Sequence, residues 1–301
     1  MTKPALNEEN RSLLILHGTI LIWGFTGILG ALISIDPVRM VWYRVMIASI
    51  TLFFYFKASK FNLKISRKEF LQFFFTGSIV ALHWILFFEA IKVSTVSVAL
   101  VCLSAFTLFT AILEPFFRKT KIQLSDIIIG LVIIAGIYMI FKFESNYTMG
   151  IIVGLSAALC SATFSVFNSM FAQKSDAKII GFYEISGAFV WITLYRIFDG
   201  TLSHETFNLS TSDWIYLFIL GTVCTALAYI AGVSVMRTLS AFRVALITNL
   251  EPVYGIILAY LFFDHKETMS LGFYGGTVLI LGAVFLYPIY KKRQSQLGPS
   301  K

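Results

Sequence analysis

The sequence predicts an all-α integral membrane protein, in which ten transmembrane helices form two inverted five-helix repeats around a central cavity. The chain is 57% hydrophobic and only 13% charged, with a mean hydropathy of +0.81, outside the usual range of soluble domains. Ten mostly apolar runs each reach the ~20 residues that a helix needs to cross a ~30 Å hydrocarbon core. The connections between the runs are short and leave no room for a soluble catalytic domain.

The apolar runs are expected to be helices because backbone polar groups in lipid must be satisfied within the segment itself. The polar N-terminus lacks a small-residue cleavage site after the first run, so that run is expected to be retained. In chain order, the predicted spans are 12–33, 38–57, 70–92, 94–117, 124–142, 148–171, 178–198, 213–236, 240–262 and 270–290.

The distribution of basic residues predicts the orientation of the spans. If the N-terminus is cytoplasmic, 18 of the 24 Lys and Arg residues fall on the inner side. Such an excess follows the positive-inside rule and places both termini in the cytoplasm of a bacterial-type inner (cytoplasmic) membrane. The net charge of +8 therefore reflects topology and does not indicate a nucleic-acid partner. The six on the outer side are Arg39, Arg44, Lys92, Lys142, Arg196 and Lys266.

The ten spans divide into two halves of five, at residues 1–145 and 146–293, followed by a polar cytoplasmic tail at 294–301. Because five is odd, the second half must enter the membrane in the opposite orientation to the first. Inverted repeats of this kind are typical of secondary transporters, whose transport site lies near the midplane where the repeats meet.

Two sequence matches relate the halves. Gly130-Leu-Val-Ile-Ile-Ala-Gly136 resembles Gly276-Thr-Val-Leu-Ile-Leu-Gly282, 146 positions later. Tyr43-Arg44 falls on Tyr183-Glu184, 140 positions later. Drifting offsets are expected after a duplication with small changes in loop length.

Small residues at short spacing predict close helix contacts in lipid. Intramolecular packing and the seam of a possible homodimer are both compatible with them. A polar face on the sixth span predicts either a cavity wall or a polar helix contact. The glycines are Gly24, Gly27, Gly30, Gly150, Gly154, Gly272 and Gly276, and the polar residues are Ser161, Ser165, Asn168 and Ser169.

Glu251 is the most informative ionisable residue, because it lies about ten residues from either end of the ninth span. A charge at that depth costs at least ~2.5–3.5 kcal/mol, so its carboxylate should face the bundle interior or water. Pro252 cannot donate to the helix ladder, which predicts a kink and a free backbone carbonyl nearby. A carboxylate and a carbonyl could hold an ammonium group or a proton, while a purely structural Glu at the kink is the alternative.

Arg44 lies about six residues into the second span and has two possible roles. It could pair with Glu89, near the outer end of the third span, as a gate or brace. Alternatively, its planar guanidinium could bind a substrate carboxylate. Glu184 is its sequence counterpart, but inversion places the two at opposite depths, so a direct pair is not expected. Glu114 lies near the cytoplasmic boundary and is expected to be hydrated or locally bonded.

Aromatic residues at similar depth complete the predicted site. His83 and Trp84 lie near the middle of the third span, level with Trp23 in the first and Tyr229 in the eighth. Aromatic walls with a few polar groups suit an amphipathic small molecule or an organic cation. Ordinary packing is the competing explanation in a chain with 30 Phe residues.

The chain resembles the EamA-type permeases of the drug/metabolite transporter (DMT) superfamily over about residues 12–290. The resemblance implies a ten-helix inverted repeat and movement of small metabolites, often export of amino acids or similar compounds. It leaves the substrate open. The residues that support the resemblance are Ile22-Trp23-Gly24-Phe25, Asp36-Pro37, Tyr43-Arg44, Asn249-Leu-Glu-Pro-Val253, Glu267 before Gly276, and the two GxxxxxG segments.

The predicted function is therefore a secondary transporter that exports amino acids or related compounds by alternating access. A multidrug or organic-cation exporter is the main alternative. An enzyme acting on lipid-linked substrates is disfavoured, because only four His are present and they are scattered. The sequence predicts no cofactor and no metal site. The expected partners are the lipid bilayer, a small-molecule substrate and possibly protons.

Overall fold

The computed structural model describes residues 7–120, 124–202, 208–263 and 269–296, and these residues form helices joined by short connections. The α-helices are α1 (Glu8–Leu32), α2 (Pro37–Ala58), α3 (Arg67–Val93), α4 (Val96–Leu103), α5 (Phe106–Arg118), α6 (Leu124–Phe143), α7 (Thr148–Phe171), α8 (Ala177–Phe198), α9 (Thr211–Gly221), α10 (Ala228–Val235), α11 (Ala241–Thr248), α12 (Leu250–Phe263) and α13 (Leu271–Gln296).

The all-helical class is confirmed. Within the described ranges, eight helical segments are long and apolar enough to cross a bilayer. Two shorter apolar stretches, Ile128–Phe143 in α6 and Leu271–Ala283 in α13, occupy the fifth and tenth predicted spans. α4 with α5, α9 with α10, and α11 with α12 make up the fourth, eighth and ninth spans.

Helix caps repeat between the two halves. α2 and α8 each have 22 residues, and each begins after an Asp whose carboxylate accepts from a backbone N–H, Asp36 and Asp176. α3 and α9 begin after Ser66 and Ser210, whose hydroxyls accept from the N–H groups of Glu69 and Asp213. Such caps satisfy amide groups that a helix start leaves free. Their repetition at offsets of 140 and 144 supports an ancient duplication.

The fourth and ninth spans are broken at equivalent places, which corrects the prediction of continuous helices. The first break lies at Ser104–Ala105 and the second at Asn249. The interruption predicted beside Pro252 is the break at Asn249, three residues earlier, and Pro252 lies in the first turn of α12. A missing N–H costs nothing there. Apolar composition hid both breaks.

The eighth span contains a π-helical turn at Thr222–Leu227 between α9 and α10. The Thr225 hydroxyl donates to the carbonyl of Leu220, five residues earlier, at 2.6 Å. π turns of this kind occur often at functional sites. Here the turn provides partners for Arg44, as described below.

Contacts between the halves obey an approximate two-fold symmetry. α3 packs on α8, and the equivalent contact is α2 on α9 and the π turn. In the same way, α1 packs on α12, and the equivalent contact is α7 on α4 and α5. A Cβ added to Gly77 on α3 would lie 2.4 Å from the carbonyl oxygen of Glu184 on α8. A Cβ added to Gly221 on α9 would lie 3.0 Å from that of Arg44 on α2. Arg44 and Glu184 are therefore equivalent in space, as the sequence match indicated.

The pair α6 and α13 corrects the other sequence match. A Cβ on Gly136 would meet Ile280 and the carbonyl of Gly276, and a Cβ on Gly276 would meet Ile140 and the carbonyl of Gly136. This reciprocal contact relates Gly136 to Gly276, at an offset of 140 rather than 146. Because the GxxxxxG spacing occurs in both helices, the sequence comparison matched Gly130 with Gly276, whereas the structure matches Gly136 with Gly276.

Hydrogen bonds join the halves at opposite ends of the bundle. Ser34, between α1 and α2, donates through its hydroxyl and amide to Asp213 at 2.6 and 2.8 Å. Ser175, between α7 and α8, donates to Glu69 at 2.8 Å. Each acidic residue also belongs to a helix cap, so one carboxylate orders its own helix start and the adjoining half.

The glycine stripes pack within the chain. Gly24 faces Tyr254 and Gly255, Gly30 faces Phe88, and Gly154 faces Cys102. These contacts bring α1 against α12 and α3, and α7 against α4. Intramolecular packing therefore accounts for these small residues.

Candidate functional site

A cavity lies between the halves and reaches α1, α2, α3, α7, α10 and the two helix breaks. The centre of a water-sized sphere can reach about 90 Å³ of it, room for several waters or one small organic molecule. All six residues predicted to bind substrate line this cavity, together with Pro252: Trp23, Arg44, His83, Trp84, Tyr229 and Glu251.

Arg44 is buried and held on two sides. Its Nε donates to the hydroxyl of Thr225 in the π turn, and its Cζ lies 4.2 Å from the ring centroid of Trp84. Its Nη2 donates to the carbonyl of Cys224 at 3.5 Å, so ring stacking and two hydrogen bonds fix the guanidinium plane. The remaining Nη1 is buried without a hydrogen-bond partner among the described residues. Arg44 therefore presents a free donor on a positioned fork.

Glu251 occupies the first turn of α12, directly after the break at Asn249. Its carboxylate forms no hydrogen bond or ion pair with the described residues, although its charge interacts with that of Arg44. Carboxylates are favourable at helix N-termini, which explains how the chain tolerates this one. A guanidinium and a carboxyl group thus line one cavity without an ion pair between them.

Two aromatic rings meet in the middle of the site. Trp84 and Tyr229 are edge to face, with ring centroids 5.7 Å apart. The Nδ1 of His83 lies 2.8 Å from the carbonyl of Ala157, so Nδ1 must donate and Nε2 remains the other polar atom of the ring. Gly232 makes room for the Trp23 ring, since an added Cβ would lie 2.7 Å from it. The aromatic wall is therefore built partly from residues that also pack the bundle.

Glu184 lies behind this wall and does not line the cavity. It is fully buried, and its Oε2 accepts from the Tyr229 hydroxyl at 2.7 Å and from the Asn168 amide at 3.1 Å. The same amide lies 3.1 Å from the Tyr229 oxygen. Sequence reasoning named all three residues but did not connect them, because the sequence does not show how α7, α8 and α10 are rotated about their axes.

Sequence reasoning missed two polar residues at the helix breaks. Ser104 and Asn249 line the cavity, and each has a buried side-chain oxygen without a partner among the described residues. The amide of Asn249 donates to Ala245 and Thr107, which ties the second break to the first half. Asn249, three residues before Pro252, was the available signal for a helix end.

The predicted pair between Arg44 and Glu89 is wrong. Among the described residues, Glu89 forms no ion pair with Arg44, which lies between Trp84 and the π turn. Glu89 is half-buried and lies away from the cavity lining. The sequence could match their depths but could not show the π turn that binds Arg44.

Glu114 forms local hydrogen bonds, which was one of the two environments predicted for it. It accepts from the N–H groups of Ala241 and Phe242 at the start of α11, and forms an ion pair with Arg118 at 3.1 Å. It therefore caps a helix of the other half. The predicted Glu267 lies outside the described residues.

We expect Glu114→Gln to lower stability without changing substrate affinity. Hydrogen bonds to a charged group contribute about 1.5–3 kcal/mol, and glutamine keeps only a neutral acceptor. Thermal unfolding of the purified protein should shift downward, while the KM for exchange stays at the wild-type value. A changed KM with unchanged stability would contradict the capping role.

The comparisons with known proteins agree with this architecture. The sequence profile described as the EamA-like transporter family matches residues 10–142 and 148–287, one match in each half. Two proteins of Archaeoglobus fulgidus, each named an uncharacterized transporter, are similar. One is 25% identical, with 92% of this chain and 96% of its own covered, and the other is 20% identical, with 66% and 69% covered.

A solved structure titled only "Crystal structure of protein" superposes with a TM-score of 0.70 over 93% of this chain and 98% of that chain, at 15% identity. That likeness concerns the fold alone. The two family matches fall on the two halves that share caps, helix breaks and glycine contacts. This chain belongs to the EamA-like transporter family of the DMT superfamily, and it is a multi-pass membrane transporter with two repeats.

Proposed function

We propose that this transporter is a secondary carrier that exports amino acids or closely related zwitterions by alternating access. The observation that supports this substrate class is that a guanidinium and a carboxyl group line one cavity without bonding to each other. Among the described residues, Arg44 Nη1 has no hydrogen-bond partner and the Glu251 carboxylate has neither a hydrogen bond nor an ion pair. A zwitterion would satisfy both, with its carboxylate on the guanidinium and its ammonium on Glu251.

The arrangement also explains why the two charges do not pair directly. Separate placement on α2 and α12 keeps both groups available, whereas a tight ion pair would have to be broken before substrate could bind. The substrate replaces the missing partners. Trp23 and Trp84 then provide apolar contact for a side chain.

The direction and membrane are part of the same proposal. The excess of basic residues on one side supports cytoplasmic termini and an inner-membrane location. Hydrogen bonds join the two halves at both ends of the bundle, and a carrier that opens to one side at a time would break one set in each open state.

Counterflow in proteoliposomes tests the proposal. Proteoliposomes that contain the purified protein would be preloaded with an amino-acid pool, and protein-dependent exchange would be measured by mass spectrometry. We expect exchange of a narrow set of amino acids. Exchange of organic cations such as tetraphenylphosphonium, with none of amino acids, would instead favour the alternative that the aromatic wall and Glu251 suggest.

We expect Glu251→Gln to remove the preference of the protein for an amino acid over the same acid without its amino group. The KM for the exchanged amino acid should rise about tenfold or more, the cost of one charged hydrogen bond. The same acid without its amino group should bind the variant as it binds the wild type. Counterflow of the two compounds, measured side by side, checks this. An equal loss for both compounds would count against an ammonium site.

A further inference from the structure

The buried carboxyl of Glu184 is the strongest feature that substrate binding leaves unused. Its Oε2 has two donors, but its Oε1 is buried without a partner among the described residues. Substrate in the cavity would meet Tyr229 before it met Glu184. A carboxyl enclosed in this way needs a physical explanation, because its burial is costly.

No cation compensates Glu184 within the described part of the chain. α7 presents Asn168 to it and α10 presents Tyr229, while α3 meets its backbone with Gly77. An ionised carboxylate buried without a cation is costly, and such groups take up a proton instead. The other titratable groups on packed helices bond elsewhere: His83 to Ala157, Glu69 to Ser66 and Ser175, and Arg44 to Thr225.

The surrounding residues can accommodate both protonation states. When Glu184 is ionised, Tyr229 and Asn168 donate to it, as described. When Glu184 carries a proton, its O–H can donate to the carbonyl oxygen of Asn168, which has no partner in the present arrangement. An amide offers donor and acceptor on one planar group, so a flip exchanges the two patterns. One proton enters or leaves, and no other reactant is needed.

The two-fold symmetry connects this carboxyl to the transport cycle. Arg44 lies over Trp84, its equivalent Glu184 bonds Tyr229, and the two rings touch at the centre. In inverted repeats, the second state arises when the halves exchange conformations. Glu184 would then take the place on the cavity wall that Arg44 occupies here. It lies behind Tyr229 in the present state and would lie beside the cavity in the other.

We propose that Glu184, with Tyr229 and Asn168, is the proton-binding site of this carrier and couples proton movement to transport. This inference rests on the proposed carrier function. It separates the two carboxyls: Glu251 contacts the substrate ammonium, and Glu184 carries the proton. In the present state the Tyr229 hydroxyl, which lines the cavity and donates to Glu184, can give its proton to the carboxylate and take another from cavity water. Because the cavity opens to the two sides in turn, the proton is taken up from one side and released to the other.

Infrared difference spectroscopy tests proton binding without any substrate. A pH step on wild-type protein in lipid should produce a carboxylic C=O band that is absent in Glu184→Gln and retained in Glu251→Gln. Glu144→Gln is a matched control, since that carboxylate accepts from the Ser270 amide away from the cavity. The same bands in wild type and Glu184→Gln would overturn the proposal.

Tyr229→Phe covers the case in which Glu184→Gln fails to fold. It keeps the carboxyl and removes one donor, so the same band should move to higher frequency. An unmoved band would equally overturn the proposal.

The transport measurement separates this inference from the carrier function. With a one-unit pH gradient, exchange of one proton per amino acid concentrates substrate up to about tenfold, and Glu184→Gln should show no such accumulation. Wild-type protein that exchanges no amino acid would refute the proposed function. Wild-type exchange with undiminished accumulation by Glu184→Gln would refute the coupling site alone.

Discussion

Replacing Arg44 with glutamine is expected to lower the catalytic efficiency of counterflow at least about 30-fold, the equivalent of ~2 kcal/mol. The guanidinium is positioned by the Trp84 ring and the Thr225 hydroxyl, and its Nη1 has no hydrogen-bond partner in the part of the chain that the structure describes. Glutamine cannot supply the charge that a substrate carboxylate requires. Initial rates over a range of amino-acid concentrations give the change in kcat/KM.

Arg44→Lys sharpens the test. Lysine keeps the charge but not the planar fork that lies over Trp84, so we expect an intermediate loss. Arg243→Gln is the control, because that side chain is half-exposed and pairs with Glu9 at the surface. Surface pairs contribute little, and this variant should transport as the wild type does. Wild-type rates for Arg44→Gln would remove Arg44 from the substrate site.

The sequence was sufficient for the parts of the fold that depend on composition. Lipid allows few backbone solutions, so apolar length alone predicted each helical span. The breaks at Ser104 and Asn249 were not predictable from hydropathy, because both lie within apolar runs. The π turn was equally hidden. In this turn the Thr225 hydroxyl donates to the carbonyl of Leu220 and accepts from Arg44.

The sequence predicted which residues line the cavity, but it did not predict which of them contact each other. Charges and aromatic residues at membrane depth must face the interior, and that rule found all six cavity residues. Pairing depends on rotation of the helices about their axes, which depth does not report. Arg44 was therefore matched with Glu89 at the same level, whereas its contacts are with Trp84 and the π turn.

Replacing Gly77 with alanine is expected to destabilise the protein by about 1–3 kcal/mol, and more if the helices cannot separate. The added Cβ would lie 2.4 Å from the carbonyl oxygen of Glu184 and 2.9 Å from the backbone nitrogen of Ala188. Both atoms belong to the backbone of α8, so no side-chain rotation can relieve the clash. Thermal unfolding of purified protein, followed by tryptophan fluorescence, should show a clear fall in Tm.

Gly18→Ala is the matched control, because no atom of the described residues lies within 4 Å of a Cβ at that position in α1. Alanine is favoured over glycine within a helix, so this variant should unfold at the wild-type temperature or slightly above it. Gly221→Ala places its Cβ 3.0 Å from the carbonyl of Arg44 and should also lower Tm, since it repeats the contact in the other half. If Gly77→Ala and Gly18→Ala unfold alike, α3 and α8 do not approach this closely. The spatial equivalence of Arg44 and Glu184, on which the proton site depends, would then lose its geometric basis.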